Sequence, residues 1–280
     1  MASTTLQSPA STTAGGPVQA RPASFPDALL SEWTKLRTLR STLFTLLATV
    51  AFAVGLGTLI AYESSVHFSQ GGGDGIWDPT ARSLAGLTIG QLTIAVLGSL
   101  AITGEYATGM IRTTLAAVPR RGRLLAAKTA VFGAVALVTG ELVSWAAFFF
   151  GQLVIHGHMP TAQLSQPGVA RAVIGGGLYV ALVGLMAVAI GTIVRRSAAA
   201  ITGVIAILFV LPGVLLTLPT SWRNPVEEYW PTGAGSQVYA VTRDANTLSA
   251  WWGFGELALF VAALFAVAYF LLQRRDAGGK

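Results

Sequence analysis

Two carboxylates set inside otherwise apolar stretches, Glu141 and Glu256, are the residues of this 280-residue chain whose positions most need a chemical reason. Glu141 lies twelve residues into the run 129–155. At about 1.5 Å per helical residue that is about 18 Å, close to the middle of a bilayer. A charge at that depth costs roughly 2.5–3.5 kcal/mol on the insertion scale, so the side chain should face protein or water. Three roles stay open for it: structural glue through groups such as Gln91 or Ser99, a carboxylate on a translocation path or gate, and proton coupling. Glu256 is only five residues inside the run 251–272. It can reach the interface, which favours snorkelling or tethering of a loop.

Other chemistry is thinly represented. His156 and His158 form an H-x-H pair, and His67 has Glu63, Asp74 and Asp78 nearby, but no third ligand stands at a defined offset. They read as solvated loop histidines. No H-E-x-x-H, no G-x-S-x-G elbow and no paired intramembrane aspartates occur, and cysteine is absent. Neither glycine cluster, 71–73 or 175–177, is followed by Lys-Ser/Thr, so the chain carries no phosphate-cradling P-loop. Catalytic, metal and cofactor-binding residues are therefore expected to be absent.

The elements that must hold the two carboxylates are six apolar runs at 41–61, 83–103, 129–155, 172–194, 198–218 and 251–272. Each has the roughly 20 residues a helix needs to cross about 30 Å of hydrocarbon. Only helices satisfy their own backbone at that length in lipid, so the fold class is all-α, a polytopic six-helix membrane protein. Charged residues make up 11% of the chain, too few to coat a soluble domain of this size. Fourteen basic residues fall on one side: Arg21, Lys35, Arg37, Arg40, Arg112, Arg120, Arg121, Arg123, Lys128, Arg195, Arg196, Arg274, Arg275 and Lys280. Only Arg82, Arg171, Arg223 and Arg243 fall on the other, with most of the acids. The positive-inside rule then puts both termini in the cytoplasm. The net charge of +6 is thus a topology signal and an attraction to membrane lipid, with no nucleic-acid partner.

Four segments divide the chain: a Ser/Thr/Ala/Pro-rich tail at 1–24 that reads as disordered, an interfacial amphipathic helix at 25–40, the membrane domain at 41–273 and a basic tail at 274–280. In the second segment Pro26 suits a first helical turn, and Leu29, Trp33 and Leu36 recur at helical spacing, with Asp27, Glu32, Lys35 and Arg37 mostly off that stripe. The connection 104–128 is the most informative stretch. Ile111, Leu115 and Val118 share one helical face, flanked by Tyr106 and Met110, while Arg112, Thr113 and Thr114 face elsewhere. This predicts a short amphipathic helix stopped by Pro119, then a basic elbow of Arg120, Arg121 and Arg123. Its apolar stripe either lies on lipid head groups or docks onto a cytosolic protein. Gly177, Ala181, Gly184, Ala187 and Gly191 form a small-residue groove that admits another helix, from this chain or a second copy. Pro212 predicts a kink in the fifth run. The aromatic-rich loop 219–250 predicts short helices at the outer head-group level.

With SEWTKLRTLRS at 31–41, GEYATG at 104–109, and PRRGR at 119–123 followed by Lys128, residues 26–273 resemble permease subunits of ABC-2 type ATP-binding-cassette transporters, the actinobacterial ones above all. The resemblance implies two permease subunits, identical or not, in the plasma membrane, each resting on a separate cytosolic ATPase that binds ATP and Mg. It implies that the 105–118 helix is the coupling element, with Glu105, Gly109, Met110, Ile111, Arg112 and Leu115 at or near the contact. The helix at 28–40 would brace it, and the 219–250 loop would cap the outer side. Apolar span walls favour export of an amphipathic or lipid-like cargo. Two other readings of the residues stand beside this one: an ATPase-independent secondary transporter or channel, and a non-transporting membrane scaffold.

Overall fold

A computed structural model of the chain describes residues 24–38, 40–72, 76–118, 120–243 and 247–275. The expected tail at 1–24 lies outside these except for Ser24, as do Pro119, Asp74, residues 73–75 and 244–246, and the tail beyond Arg275. The described residues contain helices and no strand. In chain order they are α1 (Phe25–Thr38), α2 (Arg40–Ser69), α3 (Pro79–Ser83), α4 (Leu87–Ala107), α5 (Met110–Ala117), α6 (Arg121–Ile155), α7 (Val169–Val194), α8 (Ser197–Ile205), α9 (Leu211–Leu215), α10 (Thr220–Glu228), α11 (Pro231–Ser236) and α12 (Ala250–Arg274). Six of the resulting helical stretches are long and apolar enough to cross a membrane.

The six match the six apolar runs, and two extend well past them. α2 continues to Ser69, eight residues beyond the run, and α6 begins at Arg121, eight residues before it. Polar residues such as Glu63 and Arg123 end the hydropathy signal without breaking a helix. The basic elbow is accordingly the first turn of α6 and not a loop. α1 starts where Pro26 predicts, and Ser24 and Asp27 close its first turn: the Ser24 backbone N–H donates to Asp27 Oδ2 at 2.8 Å and the Asp27 N–H donates to Ser24 Oγ.

α7 is the central post. Its apolar window is 78% buried, against 17% for α2 and for the α8–α9 stretch and 22% for α12, so those three present most of their surface outward. Small residues explain the difference. A methyl added to Gly98 of α4 would lie 2.5 Å from the Gly184 carbonyl oxygen, and one added to Gly140 of α6 would lie 2.6 Å from that of Gly177. The groove on α7 is therefore filled from within the chain, by α4 and α6. Close backbone approach of this kind is how helices associate where lipid offers no hydrophobic drive.

The fifth run leaves regular α-helical geometry just before Pro212. Between α8 and α9 the backbone widens into a π-helical turn at Ala206–Val210. In a π register the N–H of residue 212 would bond the carbonyl of Ile207, and proline has no N–H to give. The Trp230 indole Nε1 supplies the donor instead, at 3.1 Å from Ile207 O. Loop 219–250 does hold short helices, α10 and α11. The latter packs against α12, where Gly253 and Gly235 leave no room for side chains beside Ala234 and Leu257.

Candidate functional site

The site grows from the break between α4 and α5. Gly109 adopts φ 72°, a left-handed conformation that glycine reaches without steric penalty, and this lets α5 leave α4 at once. Glu105 is thereby placed in the last turn of α4 and not on α5. Opposite it, Lys128 projects from the second turn of α6, and α1 lies across both helices and offers Glu32 and Lys35.

These four side chains form one ion cluster. Lys128 Nζ donates to Glu32 Oε2 at 2.6 Å, to Glu105 Oε1 at 2.8 Å and to the Ala101 carbonyl at 3.2 Å. Lys35 Nζ donates to Glu32 Oε1 at 2.7 Å and to Glu105 Oε1 at 2.9 Å. Glu32, Glu105 and Lys128 are 3–4% exposed. Two cations meet two anions, so the buried cluster carries no net charge, which is the condition under which burial of charge is tolerated. Burial opposes the charge on Lys35, but its hydrogen bonds to Glu32 and Glu105, and their negative charges, outweigh it and hold the ammonium above the usual lysine range. Glu105 Oε2 is buried with no hydrogen-bond partner.

A second, apolar cluster lies beside the charges. Ile111 and Val118 of the α5 segment pack with Ala28 of α1 and with Leu124 and Ala127 of α6, and Leu29, Tyr106 and Leu115 close its edge. This corrects the expectation that the stripe of Ile111, Leu115 and Val118 meets lipid or another protein. Ile111 is 2% exposed, and the stripe is spent inside the chain. The face that α5 leaves open consists of Gly109, Met110, Arg112, Thr113, Ala116 and Ala117. The polar face of α1 needs the same correction. Trp33 is 47% exposed, Leu29 and Leu36 are half-buried, and Ala28 and Glu32, not the stripe, are the residues most deeply enclosed.

The other helix ends nearby are also tied. Arg121 Nη1 donates to the carbonyls of Leu272 and Arg275 at 2.7 and 2.8 Å, and Arg275 Nη1 donates to Ile193 O at 3.0 Å. Arg195, left-handed at φ 62°, places its guanidinium 5.2 Å from the centre of the Tyr106 ring. Arg120 is exposed and Arg123 partly so.

Glu141 stands apart from this site. It is half-buried on α6, and its carboxyl lies over Gly177, where a methyl would come within 2.6 Å of it. Gln91 is not its partner: Gln91 accepts from Tyr179 Oη at 2.9 Å, and Ser99 Oγ is buried without a partner. Glu256 is half-buried with Oε2 enclosed and unpaired, so no hydrogen bond among the described residues has it tether a loop.

The cluster thus unites Glu105, which the sequence placed at a candidate contact, with Glu32, Lys35 and Lys128, which it named without giving them a shared site. The signal was available: a lone lysine and a lone glutamate within one turn of apolar runs, and an i, i+3 Glu–Lys pair on an amphipathic helix. A model of the family described as ABC-2 family transporter proteins matches residues 28–214, which include all four members of the cluster. A search of curated proteins finds no match.

Proposed function

The chain belongs to the ABC-2 family of transporters, and on that footing we propose that it is the permease subunit of an exporter driven by a separate cytosolic ATPase. Membership makes it a polytopic transport component. The finer reading rests on one observation: a rigid knot of four charges that joins α1, α4 and α6 directly beneath an α5 whose outer face is open.

On this reading the open face of α5, with Met110, Arg112, Thr113 and Ala116, seats in the ATPase, and the basic end of the bundle is cytoplasmic together with both termini. ATP and Mg are held by the partner. When ATP binding draws two ATPase subunits together, α5 is displaced. Because α5 is packed on α1 and α6 through Ile111 and Val118, it cannot move alone. The ion cluster then carries the displacement into α4 and α6, the two helices packed on the central α7. Coupling of this kind requires that the ATPase contact α5 differently in its two states. Cargo passes between two paired permeases in the plasma membrane. The outward faces of α2, α8–α9 and α12 are apolar, which suits an amphipathic or lipid-like substrate.

The test is co-purification in mild detergent with a co-expressed ABC ATPase encoded in an adjacent reading frame. An Arg112→Glu/Ala116→Glu double variant is expected to lose the ATPase while keeping the thermal midpoint of the permease. Ile111→Asp, by contrast, is expected to lower that midpoint itself. Retention of the ATPase by the double variant would remove α5 as the docking element.

A further inference from the structure

A cavity of about 500 Å³ opens between α1, α2, α4 and α6 beside the ion cluster. That size falls within the range of pockets that hold small ligands. Leu36, Leu97, Leu100 and Phe132 give it apolar walls, and one corner is charged.

Exposure and donor count decide which charge a ligand would meet. The side chains of Glu32, Glu105 and Lys128 are 4–5% exposed, whereas that of Lys35 is 25% exposed. An ammonium has three donors. Lys128 uses all of its donors, on Glu32, Glu105 and the Ala101 carbonyl. Lys35 uses two, both on carboxylates, and keeps one. Lys35 is therefore the one member of the cluster that is both reachable and still able to donate. The cluster is neutral as a whole, so an anion arriving there meets no net repulsion. Arg37, Arg112 and Arg120, all exposed at this end, add a positive field.

We propose that this cavity is a binding site for one anionic glycerophospholipid, with its phosphate on Lys35 Nζ and an acyl chain along Leu36, Leu97, Leu100 and Phe132. The site lies within a single subunit, needs no ATPase, and sits where an occupant would brace α1 against α4. It makes the stiffness of the ion cluster depend on the composition of the surrounding membrane.

Gly104 provides a clean way to close the cavity. It lines the space, and a side chain built on it meets nothing within 4 Å. Gly104→Leu fills the cavity from α4, and Leu100→Trp fills it from a second position on that helix.

The test uses the full-length chain purified in mild detergent and stripped of lipid, read by native mass spectrometry and thermal unfolding. Three probes separate the two halves of the ligand: phosphatidylglycerol, diacylglycerol with the same chains and no phosphate, and glycerol 3-phosphate with no chains. Phosphatidylglycerol alone should be retained, one per chain, and should raise the unfolding midpoint. In Gly104→Leu and Leu100→Trp its retention should weaken at least about tenfold. If one variant fails to fold, the other decides. Equal retention of diacylglycerol would mean that Lys35 reads no phosphate. Equal protection by glycerol 3-phosphate would mean a free-phosphate site without use of the apolar walls. Unchanged retention in a folded filled variant would place the lipid elsewhere. Each of these results overturns the proposal.

Discussion

Removing the Lys128 ammonium while keeping its length, as Lys128→Met does, probes the ion cluster most sharply. The side chain makes three hydrogen bonds, two of them to carboxylates at 2.6 and 2.8 Å, and is about 5% exposed. Bonds to charged groups contribute about 1.5–3 kcal/mol each. Deleting one partner of a buried ion pair costs about 3–5 kcal/mol, because the stranded charge stays buried. Lys35 still holds one oxygen of Glu32 and shares one of Glu105, so the lower half of that range, about 3 kcal/mol, is the expectation. Glu32→Gln alone strands Lys128 in part and should also destabilise. The two changes together leave the Lys35–Glu105 pair balanced, so the double variant should be more stable than the sum of the singles by about 0.5–3 kcal/mol, the range seen for directly coupled residues. Denaturant unfolding of the four proteins in one detergent, with hydrogen exchange of α1 as a local readout, measures the cycle. Strict additivity, or a Lys128→Met chain as stable as the parent, would refute the claim that the four charges act as one unit.

Two further outcomes follow from the packing. Trp230→Phe keeps the ring but removes the indole donor to the Ile207 carbonyl, so it should cost about 1–3 kcal/mol and speed hydrogen exchange across residues 220–236. Gly98→Ala forces a methyl against the Gly184 carbonyl and should destabilise by about 1–3 kcal/mol, whereas Gly55→Ala, where a methyl meets nothing within 4 Å, should be neutral or stabilising by up to about 1 kcal/mol in the same thermal-shift assay.

Much of the architecture is legible in the sequence because lipid imposes a single solution on a 20-residue apolar run. The six helices, the irregular backbone just before Pro212 and the short helices after Pro219 all follow from local chemistry. What periodicity does not convey is which side of an amphipathic helix is taken. Ile111 and Leu115 carry the same spacing whether they face lipid, a partner or α1. In the structure α1 lies close enough to claim them. Glu32 and Lys35 were misplaced for a related reason. A charged face normally seeks water, and only the presence of Glu105 and Lys128 across a gap of 70 or more residues makes the interior a better partner. The groove on α7 was ambiguous in the same way until Gly98 and Gly140 were seen to fill it. The intramembrane Glu141 was easy to find, but its neighbours were not. Gln91 was taken by Tyr179, a pairing between helices that no spacing rule reveals.

The central claim, that force from a nucleotide-driven partner enters through the open face of α5, is tested most directly by site-specific photo-crosslinking in cells. A crosslinking residue at Ala116, exposed on α5, should capture the ATPase, with a yield that changes between ATP-bound and nucleotide-free conditions. The same residue at Trp222, exposed at the other end of the bundle, should capture none. Capture from Trp222, or none from Ala116 in a membrane that contains both subunits, would contradict the account.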